Sequence, residues 1–168
     1  MPAAVRNQAA TEVSVDVGAD CELWSAHPDA EQTVRLAIAK AASFEGKDGE
    51  VAVLLTSDAA IRTMNATWRG IDKPTNVLSF PAVASDGSHL GDIAIACETV
   101  ERESASENKA FLDHLAHLSI HGYLHLIGFD HETDREAERM EQLEKRILAS
   151  LGIADPYADR PAADRHPD

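Results

Sequence analysis

The sequence predicts an α/β fold of the α+β type: a single domain with a small mixed sheet of about four strands packed with helices. Three observations predict it. Stretches of alternating or continuous apolar residues are interleaved with stretches of helical period, in the order β-α-β-α-β-β-α-α-α, and that interleaving argues one layered domain. A length of 168 residues suits one core and falls short of two. Apolar residues make up 44% of the chain, ordinary for a globular protein, with no internal repeat and no linker composition.

The elements follow in order. Residues 1–11 read as a frayed tail. "EVSVDV" alternates Val13, Val15 and Val17 and predicts a half-buried strand. "HPDAEQTVRLAIAKAASFEG" predicts a helix with Pro28 in its first turn and Gly46 as its stop. "EVAVLLTS" is a strand, and "DAAIRTMNATWRG" a helix with Ser57 as N-cap and Gly70 at its end. "TNVLSF" is a strand, Pro81 to His89 a loop turning at Asp86-Gly87, and "GDIAIA" the next strand. A helix starts near Glu98, and a longer central one runs from about Asn108 to Ile127, where Gly128 stops it. "TDRE" at Thr133–Glu136 is a capping box, and its helix carries Met140, Leu143, Ile147 and Leu151 at helical spacing before Gly152. The domain is expected over 12–157. The polar, Pro-containing residues 158–168 read as a disordered tail, which removes His166 as a ligand.

Charge and cysteines narrow the classes. Fifteen Lys and Arg against 29 Asp and Glu give −14. Such a surface is wrong for indiscriminate binding to nucleic-acid phosphate and suits solubility or a basic partner. Cys21 and Cys97 lie far apart without C-x-x-C spacing and read as small half-buried apolar residues, consistent with a reducing cytoplasm. The start has no apolar signal region, and no run approaches a membrane span, so a cytoplasmic location without membrane contact is expected.

Five of the eight histidines fall between His114 and His131. His121 and His125 are four apart, so on a helix they share one face. Gly128 permits a sharp turn, after which His131 can return to face them. Three neutral imidazoles leave one coordination position open for water, as catalytic zinc sites do. The metal site therefore falls at the end of the long central helix. The string H-x3-H-x2-G-x2-H matches the extended zinc-protease pattern except after the first histidine, where the protease general base is replaced by Gly122. That argues against a peptidase, and a position without a side chain implies close packing or close approach of substrate. His117 reads equally as a functional group beside the site and as a hydrogen-bonded core residue; His114 reads as core. Asp130 either orients a ligand histidine or caps its loop.

The second block, "NATWRGIDKPTNVLSFP", holds Arg69 and Lys73, with Arg62 just upstream, against only Asp72: a rare basic patch in an acidic chain. Arg69 offers a planar fork for a phosphate.

These two blocks, with "LGDIAIA" between them and "DPY" at Asp155–Tyr157, resemble the YbeY family of bacterial endoribonucleases and ribosomal RNA maturation factors. The resemblance spans roughly Val13 to Tyr157; Trp68 stands where the family carries another aromatic. It implies one zinc per chain on His121, His125 and His131, with Arg69 as a functional arginine. Arg69 and His117 are then the candidate catalytic residues, and Arg69 and Lys73 the candidate substrate-binding ones. It implies a single-strand-specific endoribonuclease in ribosome quality control and late 3′-end maturation of small-subunit (16S) ribosomal RNA. The partners it implies are single-stranded or ribosomal RNA, the small ribosomal subunit with one of its proteins, and the GTPase Era. Two rivals compete: an assembly factor whose zinc is only structural, and a metallohydrolase of another substrate.

Overall fold

The computed structural model describes residues 12–83 and 88–158. Both expected tails, apart from exposed Ala158, and the Asp86-Gly87 turn lie outside the described residues. Strand β1 (Val13–Ala19) leads through a short 3-10 turn (Glu22–Ala26) into helix α1 (Ala30–Phe44). Strand β2 (Gly49–Thr56), helix α2 (Asp58–Arg69), and strands β3 (Val77–Pro81) and β4 (His89–Ala96) follow. Helices α3 (Cys97–Ser106), α4 (Phe111–Leu126) and α5 (Asp134–Ser150) complete the domain. The 3-10 turn has too few residues to show a period, so the sequence passes over it. Pro28 lies before α1 rather than within it.

The sheet is mixed, in the order β1-β2-β4-β3. β1, β2 and β4 are mutually parallel, and β3 pairs antiparallel as an edge strand. One face meets α1 and α4, with α5 packed against those two helices, and holds the main core, including Val53, Ile93, Ile95, Ile38, Leu124 and Ile147. The other face carries α2, where Ile61 packs on Leu78, Ala94 and Ala96.

Helix α4 is the centre of the molecule. It touches α1, α3, α5, β3 and β4, and residues on every side of it are buried, as expected for a helix apolar all round. Ile120 and Leu124 are fully buried; truncating either to Ala should cost about 2–5 kcal/mol. Gly122 faces β3 and β4. A Cβ there would lie 3.1 Å from both Ile93 Cγ2 and Ser79 Oγ and 3.3 Å from Val77 Cγ2. The Ser79 hydroxyl donates to the Gly122 carbonyl at 2.9 Å. Of the two readings of this glycine, close packing is the one observed.

Helix α3 is fixed by reciprocal caps with α2. The Asp58 N–H donates to Glu98, and the Asp58 carboxylate accepts from the Thr99 N–H and hydroxyl. Further along, Glu103 accepts from Asn76 and from His114 Nε2, the latter at 2.8 Å, binding α3 to α4 and to the start of β3. His114 is thus a core histidine held through Nε2, while its buried Nδ1 has no hydrogen-bond partner among the described residues.

Candidate metal centre

The centre is built where α4 ends. The helix closes with a Schellman pair: the Gly128 N–H donates to the His125 carbonyl and the Phe129 N–H to the Leu124 carbonyl. Gly128 has φ +108°, a conformation costly for any residue with a Cβ. The chain then doubles back. Asp130 accepts from the His131 N–H at 2.8 Å, and Arg139 lies over the Phe129 ring at 4.7 Å. Thr133 and Glu136 form the expected capping box.

This turn brings His131 to the other two histidines. The ring centroids of His121 and His125 are 4.7 Å apart, those of His125 and His131 5.0 Å, and those of His121 and His131 5.6 Å. One nitrogen from each lies within 4.8 Å of the others, so the three can hold a metal ion. Nε2 of His121 and Nε2 of His125 are 3.2 Å apart. Two imidazoles on one tetrahedral zinc, at ~2.0–2.1 Å each, sit ~3.3 Å apart, so the donor set fits. His121 is 3% exposed, whereas His125 and His131 are only half-buried, which leaves the centre open on one side. Burial, and then the neighbouring His121 and His131, lower the His125 imidazole to about 4. It is therefore the neutral ligand form at neutral pH.

Beneath the trio lies a residue the sequence reading missed. Glu144 of α5 is fully buried and uses both oxygens. Its Oε2 accepts from His121 Nδ1 at 2.5 Å. Its Oε1 accepts from His117 Nε2 at 3.0 Å and from the Tyr157 hydroxyl. Burial alone would raise this carboxyl; the charges of, and hydrogen bonds from, His121 and His117 outweigh it and hold Glu144 well below the usual carboxylate range. A carboxylate only accepts, so His121 Nδ1 must carry the proton and Nε2 turns its lone pair to the centre. Orientation of His121 therefore comes from Glu144, while Asp130 caps its loop. A signal existed: Glu144 is four after Met140 and three before Ile147, a charge on the apolar stripe of its helix.

His117 is 6% exposed, with Nε2 between Glu144 and the Tyr157 hydroxyl, 3.1 Å away. Burial lowers its pKa despite Glu144. Of the two readings of His117, a functional group beside the site or a hydrogen-bonded core residue, the structure shows the buried position and the hydrogen bonds to Glu144 and Tyr157. A cavity of about 410 Å³ borders His114 and His117, with Lys109, Asp113 and Pro156 on its wall, rather than the trio.

Arg69 ends α2 and Lys73 follows on the loop into β3; both are exposed. The basic patch is smaller than expected, because Arg62 is paired with Asp72 at 2.9 Å. Among the described residues, no hydrogen bond or ion pair joins Arg69 or Lys73 to the trio. Trp68, beside Arg69, is 71% exposed and meets Phe80 edge-to-face, 6.4 Å between centroids.

Fold and site together define a small α/β protein with a three-histidine centre competent for a metal ion. The family model described as Endoribonuclease YbeY matches residues 20–152, and the chain belongs to that family. It is 56% identical over 161 residues to an endoribonuclease YbeY of Bradyrhizobium sp. strain BTAi1, covering 89% of this chain and 94% of the relative. A Rhodopseudomonas palustris protein of the same name is 55% identical over 166 residues, covering 93% and 94%. A solution structure from Thermotoga maritima superimposes with a TM-score of 0.54 at 26% identity, covering 90% of this chain and 95% of that one. Among the described residues, no helix is long and apolar enough to cross a membrane.

Proposed function

We propose that this chain is a zinc-dependent, single-strand-specific endoribonuclease that acts in late 3′-end maturation of small-subunit ribosomal RNA and in ribosome quality control. The observation that carries the reading is the open three-histidine centre braced by Glu144, in a chain whose relatives are named endoribonucleases. A cation held there supplies Lewis-acid activation of water and of the phosphodiester.

The protein's own residues do the rest. His121, His125 and His131 hold the ion; Glu144 fixes the tautomer of His121; His117 and Tyr157 keep Glu144 in place. Arg69 binds a phosphate through its fork and meets the charge that develops on it. Lys73 adds a second positive charge. Exposed Trp68 gives a face on which an unpaired base stacks, which favours single strands. Residues 12–157 form the working domain. Small-subunit RNA, a protein of that subunit and Era are the proposed partners, and the cytoplasm is the proposed location.

The test is cleavage of single- and double-stranded RNA from the small-subunit 3′ region by purified protein, beside 3′-end mapping in a deletion strain carrying each variant. His125→Ala should lose the metal by elemental analysis, and the cleavage with it. Arg69→Ala should lose most cleavage while keeping fold and metal; Arg69→Lys should recover only part, because a point charge does not replace the fork. Full complementation by Arg69→Ala would remove this residue from the site. Cleavage that persists in His125→Ala would leave a binding role for the ion.

A further inference from the structure

We propose that Cys97, His27 and Glu101 form a second metal site, for a thiophilic divalent cation of the zinc class, at the other end of the central helix from the histidine trio. His27 Nε2 lies 2.9 Å from Glu101 Oε2, and Cys97 Sγ lies 3.8 Å from that same oxygen. One donor atom from each of the three falls within 4.8 Å of the others. Zinc bonds of ~2.0–2.3 Å to N, O and S place tetrahedral donors ~3.3–3.6 Å apart. The observed cage reaches that with shifts of about an ångström at the partly exposed end of Glu101.

The donors are held by the fold. Cys97 is the first residue of α3 and is fully buried. Glu101 is one helical turn on, on the same face. The His27 ring stacks on Phe111 with centroids 3.6 Å apart and planes 5° from parallel, and meets the edge of Trp24 at 6.2 Å. Trp24 is anchored in turn, its indole N–H donating to the Thr56 carbonyl at 2.9 Å. The reciprocal caps between Asp58 and α3 fix the start of that helix.

Cys21 follows β1 and Cys97 follows β4, at the carboxyl ends of parallel strands, where open α/β sheets place their ligands. The site is separate from the trio: Phe111 opens α4 and His121 lies ten residues on, ~15 Å along the helix axis. Binding exchanges the Cys97 S–H proton, released to solvent, for a metal–sulfur bond, with no change of oxidation state. The ion would join the turn before α1 to α3.

Cobalt(II) added to the full-length protein separates the two centres, because only this one contains sulfur. We expect a near-ultraviolet sulfur-to-cobalt charge-transfer band that saturates on titration and is displaced by zinc. The band should persist in His125→Ala and vanish in Cys97→Ser. His27→Gln and Glu101→Gln, at partly exposed side chains, should each weaken cobalt binding at this site at least tenfold with an unchanged circular dichroism spectrum. They decide the matter if Cys97→Ser fails to fold. No thiolate band in the folded wild type, a band that survives Cys97→Ser, or unchanged affinity in both Gln variants would overturn the proposal and leave a hydrogen-bonded His–Glu pair only.

Discussion

Glu144 is a full carboxylate at a position with no exposure. A buried charge of this kind survives only when its lone pairs are taken up, and here the two oxygens accept from His121, His117 and Tyr157. Glu144→Gln keeps the volume but puts an amide N–H₂ where an acceptor is required, against one of those donors. Loss of a carboxylate behind a ligand histidine typically costs 10–100-fold in metal affinity. That loss should appear when the variant competes with a chelator for zinc, with a lowered melting temperature alongside. Wild-type affinity would show that His121 is oriented without it. Arg69 makes the opposite case: among the described residues no side chain pairs with it, so removing it should leave the melting temperature unchanged. The sequence reading found every histidine of the trio because i, i+4 spacing and a glycine turn are local. It missed Glu144 because its purpose depends on α5 folding back over α4, a contact between residues 23 apart.

Two contacts between elements set the stability of the frame around the centre. Where α4 crosses β3, Gly122→Glu would push a carboxylate into Ile93, Ser79 and Val77. Overpacking alone costs about 1–3 kcal/mol, and burying an unpartnered charge adds to it. The variant should melt far below wild type, and RNA processing should fall with the folded fraction rather than through repulsion of substrate. Where α3 crosses α4, Glu103 joins His114 and Asn76. Burial would raise its carboxyl, but the hydrogen bonds from His114 and Asn76 prevail and lower it below the ordinary value. A carboxyl lowered in the folded state binds fewer protons there than when unfolded. Its contribution is therefore complete above its unfolded value and fades as pH falls through the folded one. Glu103→Gln should cost about 1 kcal/mol at neutral pH. In urea titrations, the gap to wild type should close as pH falls below the ordinary carboxylate range. A gap independent of pH would mean that the carboxylate's charge contributes nothing. Strands, helices and caps were legible here because their signals are periodic or positional. The crossings were not, because neither Asn76 nor Glu103 carries any local sign of the other.

Taken whole, the molecule is strongly acidic with few free cations near its site. Of the three basic residues between positions 62 and 73, Arg62 is paired with Asp72, leaving Arg69 and Lys73. Two phosphate contacts with a single strand correspond to a slope of about −1.4 in log affinity against log salt. Fluorescence anisotropy with a short single-stranded RNA should return such a shallow dependence. A slope near −5 would mean that more cations than these two meet the strand. The composition predicted this weak attraction. It could not show which of the three basic residues was already paired, since that pairing spans ten positions across the end of α2.

The bracing of Glu144 by Tyr157 also has a meaning in time. Translation delivers His121, His125 and His131 well before Glu144, and Glu144 before Tyr157. A growing chain thus carries all three ligands while the group that sets the tautomer of His121, and the hydroxyl that steadies that group, are still to be made. The full set of contacts behind His121 therefore forms only after residue 157 has been made.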